Sequence, residues 1–190
     1  MSRQFNLLMT PPLLVTFVAG ISGTWRIDRI DTVIGSALPR AERLAVLEGG
    51  GEPPEGTWIL RGVTSNVRYT ERQELDALAS RQETLGRPYA TRAALIPIRK
   101  TDAWWALGQD ERRAIFEARS RHIGVGLEYL PAIARRLHHC RDLGEPFDFL
   151  TWFEYAPEHV GAFEELVQRL RKTEEWRYVD REIDIRLTRA

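Results

Sequence analysis

The tightest constraint on the fold lies at the end of the chain. Across residues 178–188, Ile183, Ile185 and Leu187 alternate with Asp184, Arg186 and Thr188. A period of two makes a β-strand with one apolar and one polar face, and such a strand must pair. Partners are at hand: residues 13–19, 23–33, 57–64 and 93–99 read as strands. Residues 147–155 (FDFLTWFEY) carry aromatics on both faces, as a strand covered on both sides does.

Helical signals fall between these strands. Thr70 and Gln73 have capping-box spacing and open a helix that Gly86 ends. Asp110 caps a helix running through Ile115 and Phe116. Pro157 suits the first turn of another, in which Val160, Phe163, Leu166, Val167 and Leu170 form an apolar stripe that packs on the core. Residues 47–57 (LEGGGEPPEGT) form a Gly/Pro loop. The order lacks the regular alternation of a parallel doubly wound sheet. It predicts an α+β fold, with antiparallel sheets covered by helices on one face.

Charge and composition exclude several functions. The 27 basic and 27 acidic residues cancel, so the basic excess that offsets nucleic-acid phosphates is missing. With 43% hydrophobic and 28% charged residues, the chain folds and stays soluble. Cys140 stands alone, so no internal disulfide, zinc Cys pair or covalent haem motif can form, which favours a reducing compartment. The apolar run 5–20 has one positive charge, Arg3, near it and two prolines within it, and is shorter than the ~20 residues of a membrane span. It reads as a buried strand, and the expected location is the cytoplasm.

No phosphate-binding glycine loop, nucleophile elbow or zincin helix is present. The histidines carry the chemical interest. His138 and His139 are adjacent and point apart in any regular element, so they chelate poorly, while His159 lies at a polar helix start.

His122 differs in its surroundings. The run Arg121-His122-Ile-Gly-Val-Gly-Leu-Glu-Tyr-Leu-Pro-Ala-Ile-Ala-Arg135-Arg136-Leu-His-His-Cys-Arg-Asp-Leu leads into the aromatic strand. Before it stands Pro97-Ile-Arg-Lys100-Thr-Asp-Ala-Trp104-Trp105. In order and spacing these segments resemble the haem-binding core of the chlorite dismutase family, and the likeness runs from about Trp58 onward. The length is similar to that of the short, dimeric members. The resemblance implies a dimeric α+β barrel of two ferredoxin-like halves: residues 1–92, reduced, and residues 93–190, holding haem b.

By the same resemblance His122 is the axial iron ligand and Arg135 the distal arginine. Glu175 accepts a hydrogen bond from the histidine, with Glu174 a competing register. Lys100 and Tyr69 hold the haem propionates, Trp104 and Trp105 flank the haem, and Gln82 orients Arg135. A straight helix would part His122 from Arg135 by ~20 Å. Gly124, Gly126 and Pro131 let the helical segment break between them. The implied reaction converts chlorite to chloride and dioxygen on ferric haem, by way of hypochlorite. Two alternatives stay open. One is a coproheme decarboxylase of the same superfamily, which carries a neutral residue where Arg135 stands; the other is a haem-binding or sensing protein without turnover. Chlorite, a second copy of the chain and neither nucleic acid nor membrane are the expected partners.

Overall fold

The computed structural model describes residues 12–64 and 71–190. Eight strands, antiparallel at every pairing, close into a barrel: β1 (Leu14–Gly20), β2 (Trp25–Ile34), β3 (Arg43–Glu48), β4 (Trp58–Thr64), β5 (Arg92–Lys100), β6 (Ala134–His139), β7 (Phe149–Tyr155) and β8 (Val179–Arg189). Their order around the barrel is β1-β3-β2-β8-β5-β7-β6-β4, and β4 pairs with β1 to complete it. The first four strands thus run 4-1-3-2 in space. The last four repeat that order.

Connections distinguish the two sets. Residues 21–24 join β1 to β2 and residues 49–57 join β3 to β4, both without a helix. Four residues suffice for the first because β2 starts level with the end of β1: Gly20 pairs with Arg43, and Trp25 with Leu44. The turn needs Gly23, whose φ is +139° and whose added Cβ would lie 2.4 Å from the Leu44 carbonyl. Between β5 and β6 the chain forms α2 (Asp102–Ala106), α3 (Gln109–Arg113), a π-helical turn (Ala114–Arg119) and α4 (His122–Glu128). Between β7 and β8 lies α5 (Val160–Arg171), followed by a 3-10 turn, Glu174–Tyr178. The remaining helix, α1 (Arg72–Arg81), precedes β5. Among the described residues no helix is long and apolar enough to cross a membrane.

The C-terminal sheet separates two apolar cores. Phe17, Leu95, Leu150, Trp152, Ile183 and Leu187 fill the barrel, whereas Ala94, Ile96, Ile98 and Phe153 face outward under the helices. From α5, Phe163, Leu166, Val167 and Leu170 are buried in the outer core. At about 1.5–3 kcal/mol per side chain, that burial holds a helix whose N-terminus has no side-chain cap.

Several expectations need correction, among them the Asp110 cap, since the helix there starts at Gln109 with Gly108 as its N-cap. Leu47 and Glu48 belong to β3, not to the loop. Residues 134–139, read as part of a helical segment, are strand β6: all six pair with β7, which overrides the helical preference of Ala-Arg-Arg-Leu. Helix α1 stops at Arg81 instead of reaching Gly86, and it opens at Glu71, whose N–H donates to Glu74 Oε2 at 2.7 Å; Thr70 lies outside the described residues. In the apolar stripe of α5, Val160 is exposed. The polar face of β8 is also buried, because Glu182 and Asp184 pair with Arg171 under α5, and Arg186 pairs with Asp184 and Glu164.

Candidate active site

Three elements bring one histidine, one carboxylate and one ammonium together. His122 opens α4, Lys100 ends β5, and Glu175 sits in the turn before β8. Glu175 Oε2 lies 2.7 Å from His122 Nδ1, and its Oε1 accepts from Lys100 Nζ, also at 2.7 Å. The Lys100 and Glu175 side chains are only 4% and 5% exposed. The Glu175 N–H donates to Ser120 Oγ at 3.0 Å, which fixes the turn. Burial would raise the Glu175 pKa, but His122 and Lys100 reverse that and hold it below the usual carboxylate range.

This pairing sets the histidine tautomer. Nδ1–H donates to the carboxylate, so the lone pair is on Nε2, which has no hydrogen-bond partner among the described residues. The ring stacks on Phe116, at 4.4 Å and 20°, and lies 6.4 Å from Trp176 on a nearly parallel plane. A single oriented imidazole nitrogen is a sufficient protein ligand for a metal that brings its other ligands with it, as porphyrin iron does.

Arg135 stands on β6, opposite Phe153. Directly paired residues share a face, so Arg135, Leu137 and His139 share the outer face with Phe149, Thr151 and Phe153. His138 points the other way, into the barrel, where its Nδ1–H donates to the Leu150 carbonyl at 3.0 Å. The Arg135 guanidinium packs over Gly126, where an added Cβ would come within 1.7 Å of Nη1. Among the described residues nothing forms a hydrogen bond or ion pair with it. Burial lowers its pKa to about 10, with the charge of Glu117 opposing the fall, so the cation persists at neutral pH. A half-buried cation with free donors is a place for an anion.

The family model of chlorite dismutases matches residues 43–190. This chain belongs to the chlorite dismutase family. A chlorite dismutase of Ideonella dechloratans is 30% identical over 126 residues, covering 64% of this chain; the chain spans only 41% of that longer protein. The structure of a dimeric chlorite dismutase from Nitrobacter winogradskyi is 60% identical, superposes with a TM-score of 0.86, and is matched over 92% of this chain and 99% of its own. A chlorite dismutase structure from Candidatus Nitrospira defluvii shares the fold at 20% identity, with a TM-score of 0.64 and coverage of 95% and 92%.

The remaining family positions fall in several places. Gln82 reaches Arg135, yet its amide donates to the Arg135 carbonyl at 2.7 Å and holds the strand, not the guanidinium. Lys100 requires a correction: its ammonium is enclosed by Glu175 and the rings of Trp104 and Trp176, at 4.6 and 5.6 Å, so it does not extend toward a propionate. Glu174 pairs with Arg119 at the surface, which leaves Glu175 as the partner of His122. Trp104 is buried behind Lys100, while Trp105 turns to the sheet, stacks on Phe149 and donates from Nε1 to Asp148 Oδ2 at 3.2 Å. Tyr69 lies outside the described residues.

Sequence reasoning passed over three contributors. Asp148, buried, also accepts from the Lys100 N–H at 2.7 Å and so positions Lys100 and Trp105 together. A lone acid inside the aromatic run FDFLTWF was a usable signal for it. Ser120 and Glu117 gave no such signal, because their partners are main-chain groups, the Glu175 N–H for Ser120 and the start of α4 for Glu117, which only the folded chain brings to them.

Proposed function

We propose that this protein is a chlorite O2-lyase, converting chlorite to chloride and dioxygen with haem b (ferric iron protoporphyrin IX) as cofactor. The observation that carries this reading is the site itself: an imidazole with Nε2 left as its ligating atom, and on β6 a half-buried arginine whose guanidinium has no partner among the described residues. Haem supplies the redox chemistry at the chlorite oxygens. His122 would hold it through Nε2. Glu175, fixed by Lys100 and Ser120, withdraws the Nδ1 proton toward itself and makes the imidazole a stronger donor, which favours the ferric state. Arg135 would bind chlorite by charge and by its planar donors, and would retain hypochlorite until the O–O bond forms. Trp105 would flank the cofactor, and Tyr69 is proposed for a propionate.

The repeated 4-1-3-2 strand order supports two ferredoxin-like halves, residues 1–92 and 93–190, the first without helices in its β1–β2 and β3–β4 connections. The dimeric Nitrobacter relative supports a homodimer. Cys140, buried and bonded to the Phe147 carbonyl, requires no oxidising compartment, and we place the enzyme in the cytoplasm.

The test is oxygen release from chlorite by the purified, haem-loaded protein, with Arg135→Ala beside it. Wild type should evolve oxygen. Arg135→Ala should leak hypochlorite, so its total turnovers fall more than its initial rate, and methionine as a trap should protect it more than wild type. A wild type that binds haem and releases no oxygen overturns the reading.

A further inference from the structure

One guanidinium holds the stretch of chain that links the two halves of the site. Residues 129–133 join α4, which carries His122, to β6, which carries Arg135. Among the described residues no strand pairs with this stretch, and β4 reaches β6 only at His138 and His139. The carbonyls here turn to Arg87 instead. Its Nη1 donates to the Pro131 carbonyl at 3.2 Å and its Nη2 to the Ala132 carbonyl at 3.3 Å. Nη2 also donates to the Glu154 carbonyl on β7, at 3.2 Å. Glu154 is the partner of Ala134, the residue before Arg135. A single planar group thus grips both strands where β6 begins.

Arg87 is itself fixed in place. Its side chain is only 8% exposed, and its Nη1 meets Glu83 Oε2 at 2.6 Å. The Gly86 N–H beside it donates to Glu154 Oε2, also at 2.6 Å. Residues 82–87 therefore do for the start of β6 what a neighbouring strand does elsewhere, satisfying its carbonyls and setting its position. Arginine suits this task because its donors point in several directions within one rigid plane. A lysine ammonium is a point charge on a flexible stem and cannot hold three carbonyls in the same arrangement.

We propose that Arg87 is a positioning residue for Arg135: by fixing the entry of β6 against β7, it sets where the Arg135 guanidinium stands relative to the His122 helix. The proposal rests on the reading of Arg135 as the anion-binding group. A displacement of about 1 Å can cost on the order of a hundredfold when a charged group must meet a small reactant, so a loosened strand entry should be felt at the site.

The experiment uses the haem-loaded protein and fluoride, titrated spectroscopically at fixed pH and ionic strength. Arg87→Lys preserves the charge and removes the fork. It should raise the fluoride dissociation constant at least threefold, and that effect should vanish in an Arg135→Ala background. A lower Tm with fluoride affinity unchanged would make Arg87 a residue of the fold alone and overturn the proposal, as would an equal loss in both backgrounds. Glu83→Gln, at the exposed end of the same contact, covers the case in which the lysine variant fails to fold. Removing a negative charge by itself strengthens anion binding. Weaker fluoride binding in Glu83→Gln, seen only while Arg135 is present, therefore supports the proposal, and stronger or unchanged binding overturns it. If Arg135→Ala alone leaves fluoride affinity unchanged, the functional reading fails, and hydrogen exchange still decides the positioning. Either variant that folds should speed exchange of the amides at 132–135 at least tenfold without changing those of α5; equal exchange at 132–135 overturns it.

Discussion

Replacing Lys100 with methionine separates two roles that predict different things. If Lys100 served only a haem propionate, the protein without haem would lose nothing. The geometry predicts otherwise, because the ammonium lies 2.7 Å from Glu175 in a site where both side chains are nearly solvent-free. Removing one partner of a buried ion pair costs about 3–5 kcal/mol, since the remaining charge stays desolvated. Glu175 retains His122 as a partner, so the lower end, about 3 kcal/mol, is expected. Methionine fills similar volume and can contact the Trp104 and Trp176 rings, which limits any packing loss. For a chain of this size, about 2–4 °C per kcal/mol translates to a Tm lower by about 6–12 °C. The assay is thermal unfolding by circular dichroism at pH 7, on protein prepared with and without haem. Arg99→Met, which removes an exposed pair with Asp180, serves as control and should move Tm by about 2 °C or less. A haem-free Lys100→Met protein within 2 °C of wild type would refute the buried-triad argument.

The remaining predictions concern the same region and the barrel. Glu175→Gln should raise the haem reduction potential and weaken cofactor retention, while Glu174→Gln changes neither; spectroelectrochemistry of the two variants decides, and a shift confined to Glu174→Gln would contradict the register. His122→Ala should purify folded but without its Soret band, and a full haem complement in that variant would remove His122 as ligand. Burial pushes the His138 imidazole down to about 4, against about 6.5 when unfolded. The unfolded chain therefore takes up the proton first as pH falls from 6.5 to 4, and stability drops across that window by up to about 3 kcal/mol. Urea unfolding at pH 7 and pH 4.5 measures the drop, and His138→Gln, whose amide can still donate to Leu150, should reduce it. Sedimentation should give twice the 21.9 kDa of one chain; a monomer at micromolar concentration would count against the dimer.

β8 and α5 were legible because their apolar residues repeat at the period of the element they form, and β7 because aromatics fill both its faces. β6 was not. Its composition suits a helix, and only pairing with β7 makes it extended, which is information held in another part of the chain. β3 escaped notice because it is short and runs into the glycine-rich segment. The alternation of β8 revealed its two faces but not that α5 covers the polar one, since a charged residue buried among partners and one in water look identical in sequence. At the site, motif resemblance singled out His122, Glu175 and Arg135, and the structure brings the first two into contact. It misread Lys100, whose ammonium reaches inward to Glu175, because the direction of a long side chain follows from packing that no local pattern encodes.

β5 has apolar cover on both faces, with Ala93 and Leu95 toward the barrel and Ala94, Ile96 and Ile98 toward the helices. It is also hydrogen-bonded along both edges, to β7 and β8. No local opening can expose its amides without breaking one core or the other, so they should exchange with solvent only through global unfolding. Lys100 is the last residue of that strand, and the Glu175–His122 line is anchored there. His122 is therefore tied to the slowest-moving part of the molecule. Any breathing that admits or releases small molecules must then come from the segments carrying α1 to α4, with the strand behind them as a fixed reference.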